Sequence, residues 1–546
     1  MTARQRGGSH DQAYRDSTVH TQHRRGGAHR RLAQQPPGYR GVGLPGGQTG
    51  QDRLPDLLGL LPGCLHSPGC SAQHRPGLLQ GVRHLCPGLP GRRHCHAARG
   101  GAFRLPSPKI PGQKVAPNSL RTVSGEESMS RTVVITGNEA AATAAKLARV
   151  QVVAAYPITP QSSVVENLSK WVESGELAAE FVTVESEHSA LTVCLAASTV
   201  GARTFTATSS NGLAYMTEQV WWTAGARLPV VMGCVNRSMA APWNVLNDQQ
   251  DSMSVRDAGW IQLYCRDNQE ILDTFLQAFR IGEQLSLPVM VCYDGFLLSH
   301  TVMPVNVPTP EQADAFLPPR PAGLQVIDVN DPRNVGPVTL ADPRLDANGV
   351  LHGGYMEIRH AHQQALAEAL ELIPAVDAEF SAVFGRAWGG LTWEHRLEDA
   401  QIVLIAAGSL GMELTLAADE LRTEGVRIGV LGIRAYRPFP VAHLCEKLTG
   451  RSLAIVFDKA LSYGYEGPIC TDLRAALSGR DNMPRVFGTV TGLGGRDVTA
   501  AQLAEQARAA IADAEAGMGQ RPTVWINLQR TDVDGRCEST TCGDRE

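Results

Sequence analysis

The sequence has few aromatic residues, no long hydrophobic run and no closely paired cysteines. Of its 546 residues, 5% are aromatic and 12 are cysteines, and no two cysteines form a CxxC pair. This spacing supports neither a disulfide framework nor a ferredoxin-type iron–sulfur site. No apolar stretch reaches the roughly 18 residues of a membrane span. Residues 1–30 also lack the apolar core of a secretory signal, so we expect a soluble, cytoplasmic protein with no membrane partner.

Several motifs of common enzyme classes are missing as well. The sequence contains no GxxxxGK[ST], HExxH or GxSxG, and no GxGxxG follows a predicted strand. These motifs cradle phosphates, bind zinc or present a nucleophilic serine in the proteins that use them. Nucleoside triphosphatases, dinucleotide-dependent enzymes, zinc peptidases and esterases are therefore disfavoured.

Residues 1–128 differ in composition from the rest of the chain. They contain 18 Lys and Arg against 6 Asp and Glu, whereas the remaining residues contain 32 against 48. About a quarter of the segment is Gly or Pro, and no helical or alternating periodicity runs through it. We favour a disordered or mistranslated upstream segment with the native start at Met129, and expect no nucleic-acid partner. The alternatives are a basic arm that binds nucleic acid, or a metal site at Cys64, Cys70, Cys86 and Cys95.

From residue 129 onward, short β-branched runs alternate with amphipathic stretches, starting with TVVIT at 132–136. Such alternation predicts an α/β fold with a doubly wound parallel sheet. A long helical pattern occupies 355–385, and a second βα series starts with QIVLIAAGS at 401–409. The predicted organisation is a first domain at 129–302, a Pro-rich extended connector and helical segment at 303–395, a smaller second domain at 396–530 and a tail at 531–546.

Ligands of doubly wound sheets bind beyond the carboxyl ends of the strands, so the segments just after predicted strands are the candidates. The first is Tyr156-Pro-Ile-Thr-Pro160, in which two prolines flank a hydroxyl at a predicted helix start. Thr159 or Ser162 could cap that helix, and its free N–H groups could attract a carboxylate. A capped helix without a ligand is an equal alternative.

Two charged residues occupy similar positions. Glu187 opens an apolar helix, where a carboxylate is also favoured as a partner of the helix dipole. Arg237 follows the strand PVVMGCV, where its guanidinium could bind a carboxylate or form a structural ion pair. The turn at 208–212, TSSNG, could bring backbone amides close to a ligand. Taken one at a time, these residues do not establish a site.

Eight segments of the sequence, taken together, are similar to segments of one known protein family. They are GNEAAATAAKLARVQVVAAYPITPQS (137–162), VESEHSAL (184–191), TSSNGLAYM (208–216), the run at 236–270, YDGF (293–296), AYRPFP (435–440), YGYEGP (463–468) and GLGGRDVT (492–499). In this order they resemble the α subunits of pyruvate:ferredoxin oxidoreductases, within the 2-oxoacid:ferredoxin oxidoreductase family. The likeness spans about residues 129–530.

The resemblance implies a thiamine-diphosphate-binding fold of the pyrimidine-binding type, followed by a domain like the C-terminal domain of transketolase. It also implies coenzyme A-dependent oxidative decarboxylation of a 2-oxoacid, with electrons passing to ferredoxin. By motif, Glu187 would bind the pyrimidine ring of thiamine diphosphate, Thr159 and Arg237 would hold the substrate carboxylate, and Tyr156, Pro157 and Ile158 would shape the pocket wall. A threonine at position 159 accords with pyruvate.

No GDG…N segment for a diphosphate and Mg²⁺ occurs in the sequence, and we expect no metal ligands in this chain. The resemblance therefore implies a β subunit that supplies that half of the site. It also implies γ and ferredoxin-like δ subunits with [4Fe-4S] clusters. The rival interpretations are a relative acting on 2-oxoglutarate, 2-oxoisovalerate or oxalate, or a non-catalytic scaffold subunit.

Overall fold

The computed structural model describes residues 131–321, 344–345, 349, 351–352, 354–531 and 537–539. The predictions made for residues 1–128, and those for most of the tail at 531–546, lie outside the described residues. No helix in the described ranges is both long and apolar enough to cross a bilayer.

The first domain is built on a seven-stranded sheet with the strand order β14-β6-β7-β5-β4-β2-β3, in which all neighbours except β14 and β6 run parallel. The strands are β2 (Val152–Ala155), β3 (Glu180–Thr183), β4 (Thr204–Thr208), β5 (Val231–Asn236), β6 (Ile261–Tyr264), β7 (Val289–Asp294) and β14 (Ala435–Arg437). Every residue of β4 to β7 is buried. Burial of every successive residue along a strand is typical of a parallel sheet that is covered on both faces.

Helices cover both faces of this sheet. They are α1 (Gly137–Leu147), α2 (Ser162–Glu173), α3 (Glu187–Thr199), α4 (Ser210–Tyr215), α5 (Thr217–Gly225), α6 (Gln250–Ser254), α7 (Asn268–Leu285), α8 (Pro310–Phe316) and α9 (Tyr355–Phe384). One core cluster contains side chains of α1, α2, α7 and α9. The other contains α3 and α5 and continues into the second domain, so the two domains share a hydrophobic core.

The second domain has a six-stranded sheet with the order β11-β13-β12-β15-β16-β17, parallel except for the β11–β13 pair. Its strands are β11 (Thr392–His395), β12 (Ile402–Ala407), β13 (Ile428–Ile433), β15 (Leu453–Asp458), β16 (Arg485–Val490) and β17 (Val524–Trp525). Its helices are α10 (Leu410–Thr423), α11 (Val441–Leu448), α12 (Pro468–Leu477), α13 (Ala500–Glu515) and a 3₁₀ turn at Leu493–Gly495. Two short antiparallel pairs lie outside both sheets: β9 (Arg344–Leu345) with β10 (Leu351–His352), and β18 (Gln529–Thr531) with β19 (Cys537–Ser539).

Two strands differ from the sequence-based expectation. The TVVIT run, predicted to belong to the parallel sheet, forms β1 (Arg131–Thr136) and pairs antiparallel with β8 (Val302–Val307) in a separate ribbon. No residue of β1 is fully buried, so it does not suit a parallel sheet covered on both faces. Conversely, β14 belongs by sequence to the second half of the chain but adds an antiparallel edge to the first sheet. Pro438 follows it directly, and because proline has no N–H it suits an edge.

The connector between the domains is more structured than expected. The predicted helix at 355–385 matches α9 (Tyr355–Phe384). The stretch from 303 onward, predicted to be extended, contains the helix α8 at Pro310–Phe316. Thr309 and Gln312 form a capping box there, with proline in the first helical turn, and this local signal outweighs the proline-rich composition. The domain boundaries themselves stay predictions.

Candidate active site

The loop from Tyr156 to Pro160 joins β2 to α2 at the carboxyl edge of the first sheet. The helix begins at Ser162 with Gln161 as its N-cap, and no side chain caps it. The expectation that Thr159 or Ser162 caps the helix is therefore wrong, because Thr159 lies two residues before the N-cap. Its side chain is exposed and makes no hydrogen bond to a described residue, which leaves the hydroxyl free to bind a ligand.

Two buried amides that the sequence analysis did not identify hold this loop in place. Gln161 donates through Nε2 to the carbonyl oxygens of Tyr156, at 3.0 Å, and of Ala207 on β4, at 2.9 Å. Asn138 donates through Nδ2 to Pro160 O at 2.7 Å, and its Oδ1 accepts from Tyr293 Oη at 2.9 Å. The loop is thus tied to β4 and β7. Both residues lie within the segment at 137–162, but an amide there gives no signal of its long-range partner.

Glu187 is the first residue of α3, and Ser186 caps that helix by accepting from Ser189 N at 3.2 Å. The Glu187 side chain is 8% exposed and forms no hydrogen bond or ion pair with the described residues. A carboxylate so placed has both oxygens available to accept hydrogen bonds from a ligand. Gly212 lies directly against it: a Cβ at Gly212 would meet Glu187 Oε1 at 2.8 Å and Thr208 Oγ1 at 2.5 Å.

The turn after β4 adds further polar atoms without partners among the described residues. The hydroxyls of Thr208 and Ser209 are buried and make no hydrogen bond. Ser210 adopts a left-handed backbone conformation with φ 49°, which is unfavourable for a residue with a Cβ. The segment TSSNG therefore brings an unsatisfied hydroxyl, that of Thr208, close to the Glu187 carboxylate, since both lie within 3 Å of the position of a Cβ at Gly212.

Arg237 follows β5 and is 8% exposed. Its Nη1 donates to Thr159 O at 2.7 Å and its Nε to Asn244 O at 3.4 Å. Nη2 makes no hydrogen bond to a described residue, and no described carboxylate lies within ion-pair distance of the guanidinium. The alternative of a structural ion pair thus finds no partner in the described part of the chain. Thr159 and Arg237 are brought together as the sequence predicted.

Asp251 in α6 connects these groups and was not identified from the sequence. Its Oδ2 accepts from the backbone N–H of Ser210 at 2.9 Å and of Arg237 at 3.0 Å. Its Oδ1 accepts from Asn236 Nδ2 and from Ser252 N, each at 2.8 Å. Burial raises the pKa of Asp251 to about 6, despite these hydrogen bonds.

Asp294, in the YDGF segment, has a different role. It lies at the end of β7 and forms a buried ion pair with Lys459 of the second domain, with Nζ and Oδ1 3.2 Å apart. Ser409 donates to its other oxygen. The carboxylate therefore joins the two domains. The following residue, Gly295, supports the site because a Cβ there would meet Pro160 Cγ at 2.7 Å.

Comparisons with known proteins agree with this architecture. The family model described as pyruvate flavodoxin/ferredoxin oxidoreductase, thiamine diphosphate-binding, matches residues 143–367, which include Thr159, Glu187 and Arg237. The model for pyruvate:ferredoxin oxidoreductase core domain II matches residues 400–503. Pyruvate synthase subunit PorA of Methanothermobacter thermautotrophicus is 42% identical over 398 residues, covering 72% of this chain and 98% of that protein.

The chain belongs to the 2-oxoacid:ferredoxin oxidoreductase family. The resemblance read from the sequence is confirmed, as is the two-domain α/β fold class with its thiamine-diphosphate-binding domain. The likeness of the second domain to transketolase stays a prediction. The members of this family to which the chain is similar are subunits of oxidoreductases, and the chain is such a subunit too.

The names of other similar members of the family refer to different 2-oxoacids. Pyruvate synthase subunit PorA of Methanocaldococcus jannaschii is 44% identical, covering 68% of this chain and 93% of that protein. Ketoisovalerate oxidoreductase subunit VorA of Pyrococcus horikoshii is 41% identical, covering 73% and 98%. The structure of 2-oxoglutarate:ferredoxin oxidoreductase from Magnetococcus marinus, with 2-oxoglutarate, coenzyme A and succinyl-CoA bound, shares the fold. It has a TM-score of 0.52 and 18% identity over 72% of this chain and 67% of that chain.

Proposed function

We propose that this chain is the α subunit of a pyruvate:ferredoxin oxidoreductase and contributes the half-site for the thiamine pyrimidine ring and the substrate carboxylate. The reaction converts pyruvate, coenzyme A and two oxidised ferredoxins into acetyl-CoA, carbon dioxide, a proton and two ferredoxins reduced by one electron each. It is reversible. The observation that carries the proposal is the buried Glu187 carboxylate, which has no partner among the described residues and lies against Gly212.

The residues around Glu187 fit a flat ring that carries nitrogen atoms. The carboxylate can accept a hydrogen bond from, or share a proton with, a ring nitrogen. Thr208 and Ser209 offer hydroxyls that are otherwise unsatisfied. Gly212 leaves free the volume that a Cβ would fill, so the backbone of α4 can approach closely. These features support a pyrimidine site at this edge of the sheet.

When bound, thiamine diphosphate supplies the carbanion-stabilising chemistry that decarboxylation of a 2-oxoacid requires. The contribution of Glu187 is to hold a proton between one carboxylate oxygen and the ring nitrogen, which favours the tautomer needed for proton abstraction. General acid–base groups of this kind contribute about 10²- to 10⁴-fold to a rate. We assign Tyr156, Pro157 and Ile158, which precede Thr159 in the same loop, to the adjacent wall of the site.

The substrate carboxylate is assigned to Arg237 and Thr159. Arg237 uses Nη1 and Nε to contact Thr159 O and Asn244 O, so its remaining nitrogen, Nη2, is available for the anion. The Thr159 hydroxyl can donate a second hydrogen bond. This pair holds the carboxylate in place until it leaves as carbon dioxide, and the small threonine leaves room for a methyl ketone.

The rest of the reaction requires partner subunits. The sequence contains no GDG…N segment, so we assign the diphosphate and Mg²⁺ to a β subunit. Loops that follow β5 and β15 expose Trp243, Tyr463 and Tyr465 at 71%, 83% and 70%, and these rings suit a contact with that subunit. We assign the [4Fe-4S] clusters to γ and ferredoxin-like δ subunits. The cytoplasmic location stays a prediction.

A substrate panel with the reconstituted complex tests the proposal. The complex would be assayed with pyruvate, 2-oxoglutarate, 2-oxoisovalerate and oxalate, with and without coenzyme A, using a viologen dye as electron acceptor. We expect the highest kcat/KM with pyruvate, and dependence on coenzyme A. A higher kcat/KM with another acid would assign the chain to another branch of the family, and a complex inactive with all four acids would favour the scaffold interpretation.

A further inference from the structure

Asp251 is a buried carboxylate without a positively charged partner. It is fully buried, and no Lys, Arg or His side chain of the described residues lies within ion-pair distance of it. Four uncharged N–H groups donate hydrogen bonds to its carboxylate, and the uncharged Cys234 thiol also lies against it. Burying a carboxylate in this way costs free energy, and burial raises its pKa to about 6.

The two donors to Oδ2 belong to the two halves of the proposed site. Ser210 begins α4 just after β4, and Gly212 in the same helix lies against the Glu187 carboxylate. Arg237 carries the guanidinium that contacts Thr159 O. One oxygen atom therefore fixes the backbone on the Glu187 side relative to the backbone on the Arg237 side.

The other oxygen fixes Asp251 itself. Oδ1 accepts from the side chain of Asn236, at the end of β5, and that amide also donates to Ser252 Oγ at 2.8 Å. Ser252 Oγ in turn lies 2.7 Å from the hydroxyl of Tyr264 on β6. The carboxylate is thus anchored to the central strands of the sheet, which makes it a rigid reference for the two loops.

Only an ionised carboxylate satisfies this arrangement. Four N–H groups point at two oxygens, and a protonated acid or an amide would place a donor against one of these pairs. Ser210 also depends on its partner, since its left-handed backbone conformation is unfavourable without compensation.

We propose that Asp251 is a positioning residue that fixes the distance between the Glu187 carboxylate and the Arg237 guanidinium. The inference rests on the proposed function of those two groups. It assigns no chemistry to Asp251, which contacts neither the ring nor the oxoacid. Its role is to hold the cofactor half and the substrate half of the site at a fixed separation.

The test is the Asp251→Asn variant in the reconstituted complex. We expect a decrease in kcat/KM for pyruvate of about 10- to 100-fold, because small displacements of reacting groups have effects of this size. The KM for pyruvate and the Kd for thiamine diphosphate, measured by titration, should both rise, while the complex elutes at its normal size. If both constants and kcat are unchanged, the proposal is wrong.

Asp458→Asn is the matched control. Asp458 is buried to the same degree and accepts from the backbone N–H groups of Ile469 and Cys470 in the second domain. Its loss should lower the melting temperature without changing either constant. If Asp458→Asn changes KM and Kd as Asp251→Asn does, the effect is general destabilisation and the proposal fails.

A second variant covers the possibility that Asp251→Asn does not assemble. Asn236→Ala removes one donor to Oδ1 but keeps both links of Oδ2, and should raise the two constants by about 2- to 10-fold, as expected for one lost hydrogen bond. Unchanged constants in this variant would overturn the proposal. A wild-type complex that binds thiamine diphosphate but uses no oxoacid would instead contradict the proposed function. In that case the Kd for thiamine diphosphate, compared between the wild type and the Asp251 variant, would still test the positioning role of Asp251.

Discussion

The carboxyl edges of the two sheets are both formed mainly by parallel strands, but the polar groups at the two edges differ in whether the fold supplies their hydrogen-bond partners. At the first edge, Glu187 and the hydroxyls of Thr208 and Ser209 are buried without partners among the described residues. At the second edge, Asp458 accepts two backbone hydrogen bonds, and Lys459 forms an ion pair with Asp294. Under the proposed function a ligand completes the polar groups of the first edge, whereas Asp458, Lys459 and Asp294 stabilise the fold and join the domains.

This difference shows why strand ends alone do not identify a site. A buried polar group with its partners supplied by the fold contributes to stability, whereas one without partners costs stability unless a ligand completes it. Substitutions at the first edge should therefore change kinetics and leave assembly intact. Substitutions at the second edge should do the reverse.

The largest effect is expected for Glu187→Gln. The amide has the same shape but cannot exchange a proton with the ring, so kcat should fall by about 10²- to 10⁴-fold. Steady-state assays of the complex would measure this, with gel filtration to confirm assembly. Glu185→Gln, two residues earlier and exposed, is the control and should be active. Near-normal activity of Glu187→Gln would remove Glu187 from the catalytic site.

Lys459→Met tests the second edge. Removing one partner of a buried ion pair costs about 3–5 kcal/mol, because the other charge stays buried. The melting temperature of the complex should fall clearly, while the KM for pyruvate stays close to that of the wild type. Arg508→Ala, which breaks an exposed pair with Glu420 and Glu424, should leave the melting temperature nearly unchanged. If Lys459→Met and Arg508→Ala lowered the melting temperature equally, the stabilising role assigned to the Lys459–Asp294 ion pair would be wrong.

Gly212→Ala tests the close approach at the first edge. The new Cβ would lie 2.5 Å from Thr208 Oγ1 and 2.8 Å from Glu187 Oε1, so the carboxylate must move. We expect kcat/KM to fall by about 100-fold, the size that a displacement of 1 Å can produce. Gly519→Ala is the control, since no atom lies within 4 Å of a Cβ there. Unchanged kinetics in Gly212→Ala would show that the Glu187 carboxylate does not need its present position.

Arg237→Ala should have the smallest kinetic effect of the three at the first edge. Hydrogen bonds to charged groups contribute about 1.5–3 kcal/mol, so the KM for pyruvate should rise by roughly 10- to 100-fold. Saturation kinetics would separate this from a change in kcat. Arg237→Ala also loses the contact with Thr159 O, so Arg237→Lys is a milder comparison. The KM of Arg237→Lys should lie between those of the wild type and Arg237→Ala. An unchanged KM would reassign Arg237 to structure.

The sequence predicted both α/β domains and most of their helices and strands, because the periodicity of hydrophobic residues is a local signal. The family resemblance implied that Thr159 and Arg237 lie close together, and the contact of Arg237 Nη1 with Thr159 O agrees with this, although the roles of these residues and of Glu187 stay predictions. It failed where pairing is long-range, as for β1 with β8 and for β14 with the first sheet. Asp251 was missed for the same reason, since its donors at Ser210 and Arg237 are 41 and 14 residues away. Nothing in NDQQDSMS distinguishes it from Asp248.

The most direct test of the account is a structure of the complete complex with thiamine diphosphate bound. The distance to measure is from the nearer Glu187 carboxylate oxygen to the closest pyrimidine nitrogen. We expect a hydrogen bond of about 2.6–3.0 Å there, with the diphosphate held by another subunit. A ring that lies away from Glu187, or a diphosphate held by this chain alone, would contradict the account.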